Sequence, residues 1–118
     1  MKTEKLLNVV KKALEDKKAT EIKILDVHKF SSITDFMVIA TGRSARQVIA
    51  LAQYVIEKAK SRGHRPLGNE GTNTGEWVLV DLGDVIVHVM QPQTRDLYQL
   101  EKLWAELGEE DSFKQIQG

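Results

Sequence analysis

The chain has 118 residues, enough for one domain that buries roughly two-thirds of the surface its unfolded form exposes. Lys+Arg and Asp+Glu both total 17, so the formal net charge is zero; this excludes a protein held to nucleic acid by bulk attraction, though not a local basic face. With no cysteine there are no disulfides, thiolate nucleophiles or Cys-based zinc sites, and no apolar run reaches the ~20 residues that cross a bilayer.

The opening MKTEKLLNVVKKALED carries acids and lacks the apolar block of a signal peptide, so a cytoplasmic location is expected. It also predicts a helix from about Glu4 to Asp16, because Leu6, Val9, Val10, Ala13 and Leu14 recur at helical spacing. Ile22 and Ile24 alternate with Glu21 and Lys23, which reads as a half-exposed strand. After the polar connection HKFSSITD, Phe36 to Ala40 shows no alternation and predicts a central strand covered on both faces. A second helix follows, with Val48, Leu51, Ala52, Val55 and Ala59 in one stripe and Gly63 as its left-handed stop.

HRPLGNEGTNTG is rich in Gly, Pro and Asn and holds at most a short strand near Pro66 to Glu70. Trp77 to Val80 and Val85 to Met90 form a hairpin around Asp81-Leu82-Gly83-Asp84. Beyond Gln91-Pro92 a third helix is expected to carry Leu97, Leu100, Trp104 and Leu107 on one stripe, with Gly108 ending it. The order predicts an α/β arrangement, an α+β sandwich with a single mixed five-stranded sheet flanked by helices. Residues 1–107 make one domain, and 108–118 a flexible C-terminal tail.

Two local features bear on chemistry. Gly42-Arg43-Ser44 joins a strand to a helix N-terminus, the layout that cradles phosphates. Ser44 and Gln47 also fit a capping box, S-x-x-Q, with Gly42 letting the chain turn without a clash. Nucleotidyl transfer would need carboxylates at i and i+2 on a strand to hold Mg²⁺; no such pair exists, nor does a Walker or dinucleotide glycine motif. The cap is the favoured reading and a nucleotide-binding or nucleotidyltransferase-like enzyme the alternative. His28, His64 and His88 have no ligand-spaced companions, so no metal or cofactor is expected; His88 reads as a half-buried histidine at a strand edge.

Aromatics are 6% of the chain. Trp104 is expected in the core, Tyr98 partly exposed, and Trp77 on a strand face shared with Leu79; Trp and Tyr with a polar tip are typical interface anchors.

Three ordered stretches resemble a known family: DFMVIATGRS at 35–44, WVLVDLGDVIVHV at 77–89 with Glu70-Gly71 before it, and RDLYQLEKLW at 95–104. Together they are similar to the ribosomal silencing factors, the Iojap-like family. The resemblance implies a nucleotidyltransferase-like fold without its catalytic carboxylates. It also implies a non-enzymatic repressor that binds a ribosomal protein on the intersubunit face of the large subunit. Small-subunit joining is thereby blocked and translation lowered when nutrients are short. Trp77, Asp81, His88, Arg95, Tyr98 and Glu101 match motif positions and become candidates for the partner surface. Met90 stands where the family often has phenylalanine. Little direct nucleic-acid binding is implied, and a homodimer is a further possibility.

Overall fold

A computed structural model describes residues 2–107, and their side chains as far as Leu103. The expected tail, 108–118, and the side chain of Trp104 lie outside the described residues. Nine elements follow one another: α1 (Thr3–Asp16), β1 (Thr20–Asp26), β2 (Phe36–Thr41), α2 (Ala45–Ser61), β3 (Gly68–Glu70), β4 (Trp77–Asp81), β5 (Val85–Met90), α3 (Pro92–Tyr98) and α4 (Leu100–Leu107).

The strands form one sheet in the order β1-β2-β5-β4-β3. Only β2 and β5 run parallel; the other pairs are antiparallel, so the expected mixed five-stranded sheet is what the chain builds. The alternation of side chains divides this sheet into two unlike faces. On one, Val38, Ala40, Val78, Val80, Val87 and Val89 pack in a single core with the buried stripes of α1 and α2. On the other, Leu25, Met37, Ile39 and Met90 form a smaller core with Trp77 and Leu100 against it.

Two expectations need correction. The third helix is two: Gln99 adopts the left-handed conformation (φ 47, ψ 55) and separates α3 from α4. Within α3 Arg95 turns inward. Leu97, two residues or about 200° further round, then faces water and is 75% exposed. His88 is also not at an edge. It sits in β5, the middle strand of the sheet, and is 6% exposed.

Candidate functional site

The second face of the sheet holds most of the expected residues. In the β4–β5 register Leu79 lies opposite His88, which puts Trp77 diagonal to the imidazole and within reach of a large ring. The indole Nε1–H of Trp77 donates to His88 Nδ1 at 2.9 Å. Tyr98, at the end of α3, then stacks on the outer side of Trp77, with ring centroids 4.9 Å apart and planes tilted by 51°. Tyr98 stays 50% exposed, so a layered set of rings runs from the sheet centre to solvent.

Burial pushes His88 down from an ordinary 6.5 to about 4. The imidazole is therefore neutral at pH 7, with its Nδ1 lone pair free to accept and its proton on Nε2. Beside these rings, Leu79 and Ile86 share the same sheet face and are half-buried, because α3 and α4 leave that part of the sheet open.

Arg95 holds this arrangement in place from inside. Only 5% exposed, it donates from Nη1 to the Glu21 carbonyl (2.6 Å) and to Thr41 Oγ1 (2.8 Å), and from Nε to Glu101 Oε2 (3.4 Å). Glu21 lies where the β1–β2 register shifts, so the guanidinium ties α3 and α4 to an irregular stretch of the sheet edge. Glu101 Oε1 is buried and has no hydrogen-bond partner among the described residues. Asp81 lies four residues from Trp77, about 13 Å along the strand. Its Oδ1 accepts from the Gly83 amide at 2.9 Å and shapes the β4–β5 turn.

The six expected residues thus play different parts. Trp77 and Tyr98 come together and present ring surface; His88 and Arg95 support them from below; Glu101 closes on Arg95; Asp81 stands apart at the far end of β4. Leu79 and Ile86 share the sheet face of Trp77 and His88, and Leu97 is exposed beside Tyr98 in sequence; none was among the expected residues. The period of two from Trp77 marks Leu79, whereas nothing in the sequence shows that Leu97 turns outward.

At the other candidate, the capping box forms with one change. Ser44, extended at φ −144, accepts from the Gln47 amide at 3.1 Å, but Gln47 Oε1 reaches back to the amide of Arg43, not that of Ser44 (2.6 Å). Two amides that a phosphate would use are therefore engaged by the chain. A Cβ on Gly42 would lie 2.8 Å from Val48 Cγ2, so glycine is needed for the close approach of α2 rather than for a ligand. Gly75, at φ +72, packs so tightly on Ala45 that a Cβ would fall 2.7 Å from its carbonyl oxygen. Among the described residues no three His, Asp or Glu side chains gather as metal ligands, and no helix is long and apolar enough to cross a membrane.

Comparison with known proteins agrees with this layout. The family model described as "Ribosomal silencing factor during starvation" matches residues 1–117. A ribosomal silencing factor of Haemophilus influenzae is 49% identical over 100 residues, covering 85% of this chain and 98% of that protein. A mouse protein named for mitochondrial assembly of the ribosomal large subunit is 33% identical over 106 residues, covering 87% of this chain and 46% of its own length. A crystal structure from Chromobacterium violaceum superposes with a TM-score of 0.87 at 48% identity, covering 89% of this chain and 88% of that one.

Proposed function

This chain belongs to the ribosomal silencing factor family, and we propose that it acts by occupation: it docks on a ribosomal protein at the intersubunit face of the large subunit and keeps the small subunit from joining. Translation falls because a surface is covered, with no catalytic step, and the cytoplasm is where this happens. The observation that carries the reading is the half-exposed Tyr98 ring stacked on Trp77, whose own N–H is already satisfied by neutral His88. An aromatic anchor fixed in advance loses little side-chain freedom on binding, and an uncharged patch loses little solvation. Leu79, Ile86 and Leu97 extend the apolar area around it. An interface covering about 800 Å² of one partner suffices for specific binding when such an anchor fills a pocket.

Co-sedimentation with purified large ribosomal subunits tests this. Tyr98→Ala and Leu97→Asp remove exposed side chains and should leave the fold intact. Each is expected to lose about 2 kcal/mol of affinity, roughly thirtyfold. Trp77→Ala should lose binding and also stability, since its indole packs on the second core. Folded Tyr98→Ala and Leu97→Asp that sediment like wild type would overturn the assignment of this face. Retained subunit joining in the presence of saturating bound protein would overturn the occupation mechanism.

A further inference from the structure

The helical layer carries a feature that docking through the sheet leaves unused. Contacts pair the start of α1 with the end of α2, and Gln47 near the start of α2 reaches the carbonyls of Lys17 and Lys18 just after α1, so the two helices run antiparallel. Along their outer seam Lys5, Lys12 and Arg62 line an open depression of about 340 Å³ with Asn8 and Val9. Lys58 lines the adjoining hollow, where Asp16 is the one carboxylate. Lys17 continues the row, its ammonium 4.7 Å from the Tyr54 ring centroid, with that of Lys58 5.2 Å from the same ring.

All five cations are exposed, and none has a carboxylate within ion-pair distance among the described residues. Favourable interaction with helix dipoles accounts for Lys17, Lys58 and Arg62, which stand at helix C-terminal ends. It does not account for Lys5, in the first turn of α1, where the dipole disfavours a cation. From Lys5 to Lys17 the row runs about 18 Å at 1.5 Å per residue, long enough to meet several successive phosphates of one strand.

We propose that the α1–α2 seam is a contact surface for the phosphodiester backbone of RNA, read by charge and not by sequence. The spacing of point charges along a shallow groove, with no buried donor to enclose a single phosphate, fits an extended polyanion better than a small phosphorylated ligand. A zero net charge conceals it, since Asp16 is the one carboxylate among the residues lining the two hollows and the chain's total of acids equals its total of bases. The seam lies on the opposite side of the sheet from Trp77 and Tyr98, so the two surfaces can be engaged together.

The test uses the whole chain and a fluorescein-labelled 20-base-pair RNA duplex of mixed sequence, read by anisotropy between 50 and 200 mM salt. Lys12→Glu/Arg62→Glu should weaken binding at least tenfold at the lower salt, and Lys12→Gln/Arg62→Gln should reduce the slope of log affinity against log salt by about two. Lys29→Glu/Lys102→Glu, with the same change in net charge away from the seam, should differ from wild type by less than threefold. Equal losses in both charge-reversed pairs would overturn a localised site, as would wild-type RNA binding in the seam variants or no binding by wild type at 50 mM. Saturable binding of inorganic tripolyphosphate tighter than the duplex would also overturn it, in favour of a small anion. Circular dichroism and the neutral Gln pair separate lost contacts from lost fold.

Discussion

The two faces of the sheet are built to different rules. Under α1 and α2 the contacts are wholly apolar and buried, from Val38 and Ala40 to Leu51 and Val55, and a side chain there has nothing to do except fill space. Over the other face the packing is partial and mixed: an arginine, a histidine, a tryptophan and a tyrosine hold one another by hydrogen bonds and ring contacts, with solvent on one side. Stability is concentrated on the first face, and the proposed docking surface lies on the second. The polar supports of the second face serve to fix its exposed rings in one orientation.

Substitutions on each face can break that division. The largest effect is expected from Leu51→Ala, which opens a cavity in the closed layer; about 3 kcal/mol of unfolding free energy should be lost. Urea titration measures it, and the folded fraction should bind large subunits as wild type does. Arg95→Met should cost about 2 kcal/mol, since it strands the Glu21 carbonyl, Thr41 Oγ1 and the Glu101 carboxylate without their donor. Unlike Leu51→Ala it should also weaken subunit binding in the folded fraction, because α3 loses the tie that sets Tyr98. Equal behaviour of the two variants in binding would erase the distinction between the faces.

A third effect is graded by pH and grows as the solution is acidified. His88 is pushed down to about 4 in the fold against 6.5 when unfolded, so between these values the unfolded chain binds the extra proton. Its contribution to stability is complete above pH 6.5 and falls by about 1.4 kcal/mol per pH unit as pH drops toward 4. Protonation also removes the acceptor for the Trp77 indole. His88→Gln should flatten the stability profile across this window; an unchanged slope would show that the imidazole does not carry it.

Much of this was legible beforehand. The stripe of α2, its Ser44 cap and the uninterrupted apolar run of β2 are local patterns, and the structure follows them closely. What escaped depends on partners distant in the chain. His88 reads as peripheral until the strand order puts β5 in the middle. Arg95 is expected at the partner surface, and Glu21 and Thr41, 74 and 54 residues away, draw it inward. The break at Gln99 has no glycine or proline to announce it. Tyr98 stands half-exposed as expected, although Leu97 beside it is more exposed still and the two do not divide into a buried stripe and its flank.

The position of β5 also shapes how the protein comes into being. The β1–β2 pair and the β3–β4 pair do not touch each other in the ladder; only β5, spanning Val85–Met90, hydrogen-bonds to both. The keystone of the sheet is thus the last strand to be synthesised. At 5–20 residues per second, roughly 5 to 20 s of translation pass before it exists. Until then the β1–β2 and β3–β4 pairs lack the strand that hydrogen-bonds to both, so a chain cut short before Val85 is expected to leave the sheet unclosed.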